Sequence, residues 1–372
     1  MTLQEDFTAA AIERIRAAAA SGTRLRIRGG GSKDFYGQAL EGDMLDTTPL
    51  SGVVSYEPSE LVITALAGTP LADVEALLLA NGQCLPFEPP HFSPGSTVGG
   101  MVASGLSGPA RASAGAVRDF VLGVQLINGK GEHLTFGGQV IKNVAGYDVS
   151  RLMVGAMGTL GLLLEVSIKV LPIAPSEATL KFEMTQAQAL QMLNTWGGQP
   201  LPLNASCWLE EEGNGTLYLR LRGAIAAVEA ACTRLGGERM PEPQTAADWK
   251  ACRDQQLQWF KDRTADQDLW RLSVPQTTPV LDLPDSPLVE WHGGLRWVRT
   301  KSADNTRGQQ LRELARSVSG HATLFIAGSA QNTPATGVFD ALKPPLDRIH
   351  RELKREFDPA GVFNPHRMGL DW

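Results

Sequence analysis

Two runs of small residues in the first half of the chain carry the strongest sign of chemistry. Residues 29–32 read Gly-Gly-Gly-Ser directly after a predicted strand, and residues 95–100 read Gly-Ser-Thr-Val-Gly-Gly before a predicted helix at 101–105. Consecutive small residues let backbone N–H groups converge on an anion, and a following helix N-terminus adds a favourable dipole. Two such loops predict a ligand with two phosphates, or one pyrophosphate held from both sides. The competing interpretation is that the glycines only form tight turns.

Two familiar nucleotide-binding patterns are absent from the sequence. No Gly-x-Gly-x-x-Gly follows a predicted strand, so the dinucleotide fingerprint of the Rossmann fold is missing. The Gly129-Lys130 pair is followed by Gly131 rather than by Ser or Thr, so it does not form a P-loop. Phosphate binding at the two glycine loops therefore indicates a different fold.

Composition divides the chain into two unlike parts. Of the 39 glycines, 24 lie in residues 1–170, whereas all eight tryptophans lie after residue 170. This difference predicts two domains with different roles. A net charge of −6 argues against a protein whose main task is to bind nucleic acid. The most apolar window, residues 153–171, contains Glu165 and Lys169 and is too charged to span a bilayer.

The cysteines indicate neither a metal site nor a disulfide framework. The four cysteines form no Cys-x-x-Cys spacing, so the sequence offers no iron–sulfur or structural zinc ligand set. Four thiols without a dense pattern fit a reducing cytoplasm. We therefore expect a cytoplasmic protein without a metal site.

The order of predicted elements is that of an α+β protein. In the first part we expect helices at 6–20 and 70–80 and strands at 25–28, 53–56, 61–66, 120–127, 133–136 and 162–171. After a predicted linker at 172–176 we expect helices at 186–195, 224–235, 246–260 and 306–317 and strands at 203–210, 216–222, 269–274 and 322–328. A basic helix at 338–357 ends the pattern.

Six short runs occur in an order typical of one cofactor-binding family. They are Ile-Arg-Gly-Gly-Gly-Ser at 27–32, Glu-Pro-Ser-Glu-Leu-Val at 57–62, Pro-Gly-Ser-Thr-Val-Gly-Gly at 94–100, Asn-Val-Ala-Gly-Tyr-Asp at 143–148, Gly-Thr-Leu-Gly at 158–161, and a closing run at 353–365 that ends in Asp-Pro-Ala-Gly-Val-Phe-Asn-Pro. This set resembles the FAD-binding family of vanillyl-alcohol oxidase and p-cresol methylhydroxylase. The matches cover residues 24–172 and 338–366.

The resemblance implies a fold and a domain plan. The fold is α+β, a two-subdomain FAD-binding fold of the p-cresol methylhydroxylase type with a second, cap-like α+β domain. The FAD-binding domain would comprise residues 1–172, with subdomains of about 1–50 and 51–172. Residues 173–337 would form the cap-like or interface domain, and residues 338–372 would complete the FAD domain.

The resemblance also implies which residues contact FAD. They are Arg28, Gly29, Gly30, Gly31, Ser32, Lys33, Pro94, Gly95, Ser96, Thr97, Gly99, Gly100, Gly105, Tyr147, Asp148, Gly158, Thr159 and Gly161. Relatives with covalently bound flavin carry a histidine in or near the first loop, where this chain has Ser32-Lys33. FAD is therefore expected to be non-covalent. Met157 stands where relatives often have glutamate.

The motifs that would oxidise a substrate are missing from the second half. Relatives that oxidise 2-hydroxy acids carry His-x-Gly-Asp-Gly-Asn-x-His and Glu-His-Gly-x-Gly, and neither occurs here. Removing a hydride from a hydroxy acid needs a base for the hydroxyl proton and a cation for the carboxylate. We therefore predict no catalytic residue and no metal ligand in this chain, and we expect His292 and the tryptophans to be packed or interface residues.

The short length, the missing motifs and the run Glu-Trp-His-Gly-Gly-Leu-Arg-Trp at 290–297 resemble the FAD-binding E subunits of bacterial glycolate oxidase, also called glycolate dehydrogenase. That resemblance implies a redox subunit that relays or accepts electrons. Its partners would be a larger FAD-bearing dehydrogenase subunit and an iron–sulfur subunit, in the cytoplasm or at the inner face of the membrane through those partners. The alternatives are a stand-alone oxidoreductase that uses His292 or His321, and a non-catalytic scaffold.

Overall fold

The computed structural model describes residues 3–138, 147–211, 213–302, 306–328 and 337–369. The strands in chain order are β1 Leu25–Arg28, β2 Asp43–Asp46, β3 Val53–Glu57, β4 Val62–Leu66, β5 Gln83–Cys84, β6 Val121–Ile127, β7 His133–Gly137, β8 Leu162–Lys169, β9 Leu171–Pro172, β10 Ser176–Glu183, β11 Leu203–Glu211, β12 Asn214–Gly223, β13 Glu238–Arg239, β14 Gln267–Ser273, β15 Leu288–Glu290, β16 Leu295–Lys301 and β17 His321–Ile326. The helices are α1 Leu3–Ser21, α2 Leu71–Ala80, α3 Val98–Ser104, α4 Arg111–Ala114, α5 Val117–Phe120, α6 Val149–Leu152, α7 Gln186–Gly197, α8 Ile225–Leu235, α9 Gln244–Arg253, α10 Gln258–Lys261, α11 Arg307–Ser317 and α12 Leu346–Phe357, and 3-10 turns lie at Pro58–Glu60 and Trp291–Gly293.

The first half is built on a five-stranded antiparallel sheet with the order β3-β4-β8-β6-β7. Strand β4 is buried along its whole length, and β8 is almost as apolar, because both are interior strands covered on both faces. Helix α1 packs Ala11, Ile15 and Ala18 into the same core at helical spacing. The second glycine loop packs on the end of β4 in this sheet, whereas the first follows β1, which pairs with β2 in a separate two-stranded parallel sheet.

The second half is built on an eight-stranded antiparallel sheet with the order β13-β10-β12-β11-β15-β16-β14-β17. Helices α7 and α8 cover one part of it, and α11 covers another. A third apolar cluster contains Trp249, Trp291 and Trp297 together with Tyr36 and Leu106 from the first half. The tryptophans therefore help to form the core that joins the two halves. Helices combined with antiparallel sheets confirm the predicted α+β class.

The C-terminal segment returns to the first half. The Leu25 N–H donates to the Val362 carbonyl at 2.8 Å, and the Asn364 N–H donates to the Leu25 carbonyl at 2.9 Å. Val362 and Phe363 are buried in the first-half core. These contacts support our proposal that residues 1–172 and 338–372 form one domain and residues 173–337 another.

The Lys354 ammonium anchors this segment. It donates to the Asp358 carboxylate at 2.6 Å, to the Thr159 carbonyl at 2.7 Å and to the Phe363 carbonyl at 3.0 Å. The Asp358 side chain is fully buried, so this ion pair is shielded from water. Burial lowers the pKa of Lys354, and the Asp358 carboxylate opposes that shift.

The predicted start of one helix is wrong. Helix α3 begins at Val98 instead of Met101, because Thr97 caps it: the Thr97 hydroxyl accepts the Gly100 N–H at 3.2 Å. The second half of the predicted loop is thus the first turn of α3.

Two predictions in the second half also differ from the structure. The linker predicted at 172–176 is followed by a strand that the sequence did not predict, because β10 starts at the last linker residue and pairs with β12 along its full length. The predicted helix at 246–260 is two helices, α9 and α10. The chain turns between them at Gln255, which has a φ of 55°.

The closing helix is shorter than predicted. Helix α12 begins at Leu346 instead of residue 338. Pro344 and Pro345 immediately precede it, and a proline drives the residue before it out of the helical conformation. The helix therefore does not extend back through the proline pair, and Pro345 is its N-cap residue.

Candidate cofactor site between two glycine loops

The first glycine loop, residues 29–33, presents a row of unused backbone donors. Strand β1 ends at Arg28, whose guanidinium contacts the Asp34 carboxylate at 2.7 Å. Among the residues that the structure describes, none accepts a hydrogen bond from the five N–H groups of this loop. Successive unpaired amides form a concave surface suited to an anion. The first loop therefore has the donors that the sequence predicts.

The second loop, residues 94–97, leads into α3 and has fewer unused donors. The Gly99 N–H donates to the Ala67 carbonyl at 2.7 Å, and Gly100 donates to Thr97 as described above. A Cβ on Gly99 would lie 2.8 Å from the Ala67 Cβ, so only glycine lets α3 pack this closely on the end of β4. The N–H groups of Gly95 and Thr97 donate to no acceptor in the described part of the chain.

The two loops touch each other through their backbones. A Cβ on Gly30 would overlap the carbonyl oxygen of Gly95, and a Cβ on Gly29 would lie 2.5 Å from the Thr97 hydroxyl. Side chains at these positions would force the loops apart. The structure thus brings eight of the predicted residues into one cradle, which we define as residues 29–33 and 95–97. Pro94, Gly99 and Gly100 lie beside it, and their contacts to FAD stay predictions.

Lys33 places a positive charge where the loops meet. Its ammonium donates to the Ser96 hydroxyl at 3.0 Å and to the Ser32 hydroxyl at 3.2 Å, so it joins one loop to the other. Burial lowers the pKa of Lys33 to about 8, and the Asp254 carboxylate opposes that shift. The ammonium also lies 5.6 Å from the centre of the Phe92 ring. An anion in the cradle would favour the charged form of this lysine.

Two C-terminal side chains hold the cradle in place, and the sequence did not reveal their role. The Asn364 amide accepts from the Ile27 N–H at 2.7 Å and donates to the Met157 carbonyl at 2.6 Å. The buried Arg367 guanidinium donates to the Asp34 carbonyl at 3.0 Å. Asn364 lies in the closing run at 353–365, whose resemblance to the FAD-binding family was the sequence feature that pointed to this residue.

The other predicted site residues near α3 serve as supports. Gly105 ends α3 with a φ of 63°. Gly158 lies against the Asn364 amide, and the carbonyl of the buried Thr159 accepts from Lys354. Gly161 packs on the end of β6, where a Cβ would lie 2.9 Å from the Ile127 carbonyl oxygen. Their contacts to FAD stay predictions.

Tyr147 and Asp148 lie apart from these contacts. The Tyr147 side chain is 96% exposed. The Asp148 carboxylate accepts from the Arg151 N–H at 3.2 Å and caps α6. The preceding part of the motif at 143–146 lies outside the described residues. The structure does not bring Tyr147 or Asp148 into the cradle, and their predicted role stays untested.

The two candidate histidines have different surroundings. The His292 Nε2 lies 2.9 Å from the Ser113 hydroxyl and its Nδ1 lies 3.1 Å from the Ser206 hydroxyl. Burial lowers the pKa of His292 to about 4. His321 lies on β17, where burial and the Arg271 guanidinium lower its pKa. In the described ranges, no cluster of three or more histidine, cysteine or acidic residues is arranged to hold a metal ion.

The donor set of the cradle fits a diphosphate. Unused amides come from both loops, an ammonium lies between them, and the lack of side chains at Gly29 and Gly30 lets the two loops meet. Backbone N–H groups and a lysine are groups that bind phosphate oxygens in proteins. The residues of the cradle therefore fit the diphosphate of a dinucleotide cofactor.

Comparison with known proteins identifies the domain around the cradle. Residues 7–137 match the family model described as an FAD binding domain. The chain is 45% identical over 363 residues to the glycolate oxidase subunit GlcE of Escherichia coli, which covers 98% of this chain and 97% of that protein. It is also 30% identical over 131 residues to the glycolate oxidase subunit GlcD of Bacillus subtilis, which is 35% of this chain and 28% of that subunit.

A solved structure supports the same fold. Alkyldihydroxyacetonephosphate synthase aligns with 95% of this chain and 74% of its own, with a TM-score of 0.65 and 16% identity. Together with the FAD domain match, this confirms the predicted FAD-binding fold of the p-cresol methylhydroxylase type. No helix in the described part of the chain is both long enough and apolar enough to cross a membrane.

Proposed function

The chain belongs to the family of the glycolate oxidase subunit GlcE, and from this premise we propose that it is the FAD-binding redox subunit of a multi-subunit 2-hydroxy acid dehydrogenase acting on glycolate. It is an oxidoreductase subunit, and FAD is its cofactor. When bound, FAD supplies two-electron redox chemistry. The residues of this chain bind and orient it.

The observation that carries the proposal is the contact between the two glycine loops. We assign the diphosphate of FAD to the unused N–H groups of residues 29–33, with Gly95 and Thr97 completing the set. The Lys33 ammonium would balance the diphosphate charge. Neither loop contains a histidine, which supports non-covalent binding. The intact cradle argues against a scaffold that has lost its cofactor site.

We place substrate oxidation on a partner subunit. His292, the best candidate base in this chain, is held between two serine hydroxyls, and its pKa of about 4 makes it a weak base near neutral pH. The chain also lacks the histidine motifs of relatives that oxidise 2-hydroxy acids. These features disfavour a stand-alone enzyme that depends on His292.

The partners we propose are a larger FAD-bearing dehydrogenase subunit and an iron–sulfur subunit. The GlcE and GlcD proteins are both named as subunits of glycolate oxidase, which supports an assembly of this kind. In it, this subunit relays or accepts electrons. We place the assembly in the cytoplasm or at the inner face of the membrane through the partner subunits.

Co-purification tests the proposal. The tagged chain should carry FAD that is released on denaturation, and its partners should add iron and a second flavin. Under anaerobic conditions, glycolate should bleach the flavin spectrum only when the partner subunits are present. Bleaching of the isolated chain would favour a stand-alone oxidoreductase, and purification without flavin would favour a scaffold.

A further inference from the structure

A short segment of the first half, residues 88–92, leads into the second glycine loop, and we call it the strap. Glu88 and Phe92, at its two ends, have φ values of 47° and 59°. Non-glycine residues rarely adopt this left-handed conformation, and they keep it only where the surrounding structure holds them there. Contacts from the second half hold the strap at Glu88 and at His91.

Two arginines of β12 hold the first end of the strap. The Glu88 carboxylate accepts from the Arg220 guanidinium at 2.6 Å and 2.7 Å and from Arg222 at 3.2 Å. The Arg220 side chain is only 3% exposed, so solvent screens this ion pair little. Burial disfavours the charged form of Glu88, but the two guanidinium groups outweigh that effect and hold the pKa of Glu88 below its usual value. This end of the strap is therefore tied to the second half by a shielded ion pair.

Asp254 holds the strap near its other end. It is the C-cap residue of α9, and its carboxylate accepts the His91 N–H at 2.8 Å. The Arg253 guanidinium lies 2.8 Å from the same carboxylate and 3.5 Å from the carboxylate of Glu75 on α2. The His91 Nε2 lies 3.0 Å from that Glu75 carboxylate. The Asp254 carboxylate is thus fixed by contacts that connect α9 to the strap and to α2.

The strap reaches the cradle at two points. The ring of Phe92 has its centre 5.6 Å from the Lys33 ammonium, a distance at which a cation is attracted to an aromatic face. The next residue, Ser93, accepts the Ser96 N–H of the second glycine loop through its carbonyl at 3.3 Å. A displacement of the strap would therefore disturb both Lys33 and the second loop.

Asp254 also acts on Lys33 through its charge. Burial lowers the pKa of Lys33, and the Asp254 carboxylate opposes that shift. Two other charged groups next to the first glycine loop are held in place: Asp34 pairs with Arg28 at 2.7 Å, and Arg367 donates to the Lys33 carbonyl at 3.3 Å. Those groups belong to the first half and the closing segment, whereas Asp254 belongs to the second half.

We propose that Asp254 is a positioning residue for FAD, whose carboxylate holds the strap against the cradle and provides negative charge for the Lys33 ammonium. The inference rests on the proposed function, because it concerns the same cradle. It adds that the second half, which contains neither glycine loop, helps to determine how tightly the cradle binds the diphosphate.

Two substitutions at Asp254 separate its hydrogen bond from its charge. Asp254→Ala removes both, and FAD should bind about tenfold more weakly, which corresponds to about 1.4 kcal/mol. Asp254→Asn keeps an acceptor for the His91 N–H and removes only the charge. Its FAD affinity should match that of the unaltered chain near about pH 6, where Lys33 is charged in both, and should then fall at a lower pH than in the unaltered chain.

Fluorescence titration of the full-length chain with FAD, from about pH 6 to pH 10, measures both effects. The pH profile is the decisive readout, because a residue that only stabilised the fold would not move it. Melting temperatures of the same samples distinguish unfolding from weaker cofactor binding, and Asp254→Asn still tests the charge if Asp254→Ala does not fold.

Asp262→Asn is the matched control. Asp262 is the C-cap residue of the neighbouring helix α10, and its carboxylate accepts from the Gln258 amide at 2.6 Å. The substitution removes the same charge from the second half, so it reproduces any general effect of net charge on an anionic cofactor. It should leave both the FAD affinity and its pH profile unchanged.

Three results would overturn the proposal. They are FAD binding by Asp254→Ala as tight as that of the unaltered chain, an unchanged pH profile in Asp254→Asn, and an equal weakening in the Asp262→Asn control. All three are read from variants of a chain that itself binds FAD. A failure of the proposed function would instead appear as an unaltered chain that carries no FAD, so the two failures are distinguishable.

Discussion

The two halves of the molecule are built around opposite kinds of residue. In the first half, glycines remove side chains, so that two backbone loops touch and their N–H groups stay unused. In the second half, large rings fill space instead, and Trp249, Trp291 and Trp297 are buried in the cluster that joins the two halves. The glycine loops have no room for an added carbon atom, whereas the second half should respond to changes in its buried groups. Variants should therefore separate the two halves.

The largest expected effect concerns the buried ion pair that closes the first half. Lys354→Met would leave the Asp358 carboxylate buried without its cation, which should lower the free energy of unfolding by about 3–5 kcal/mol. Urea denaturation measures this. Arg351→Ala, which removes a partly exposed pair with Asp347 on the same helix, should cost at most about 1 kcal/mol. Similar losses in both variants would contradict the account.

The next largest effect tests the contact between the loops. Gly30→Ala would drive a Cβ into the Gly95 carbonyl, and overpacking of this kind typically costs about 1–3 kcal/mol. We expect the dissociation constant of FAD to rise at least about tenfold. The flavin-to-protein ratio after gel filtration measures this. Gly197→Ala, where a Cβ meets open space, should keep full flavin content. Normal FAD binding by Gly30→Ala would contradict the assignment of the diphosphate to the cradle.

A smaller effect concerns the charge between the loops. Lys33 has a pKa of about 8, so below that pH it is already charged and FAD affinity should be at its maximum. Above pH 8 binding must take up a proton, and affinity should fall by up to about tenfold per pH unit. Fluorescence titration of FAD between pH 7 and 10 measures this. Lys33→Gln should bind more weakly and without this pH dependence, and an unchanged profile would contradict the role of Lys33.

The last effect belongs to the second half and shows only at acidic pH. The pKa of His292 is about 4 in the folded protein, below the usual value of 6.5, so the folded state binds fewer protons between these values. His292 should therefore lower the free energy of unfolding as the pH falls from about 6.5 towards 4. His292→Gln should reduce that slope, which urea titrations at several pH values can measure. A His292 ring that titrates near pH 6.5 by NMR would contradict this prediction.

Local patterns revealed the cradle because its chemistry is local. Runs of glycine predict backbone N–H groups that have no acceptor within the chain, and the order of the motifs indicated the FAD-binding family. The same patterns gave most of the strands and helices of the first half. They missed the first-turn role of Gly99 and Gly100, because a threonine cap can start a helix inside a glycine run.

Long-range partners were beyond the reach of the sequence. Asn364 joins β1 to the loop at Met157, although it lies more than 200 residues from the latter. The Trp291 indole N–H donates to the Gly108 carbonyl of the first half at 2.9 Å, although the two residues are 183 positions apart. No local spacing encodes such contacts, because they depend on how the two sheets pack together.

A crystal structure of the chain with FAD would test the central claim most directly. The account predicts that the diphosphate oxygens lie within hydrogen-bonding distance of the backbone N–H groups of residues 29–33 and of the Lys33 ammonium. A diphosphate bound elsewhere, with both glycine loops unchanged and out of contact with it, would contradict the account.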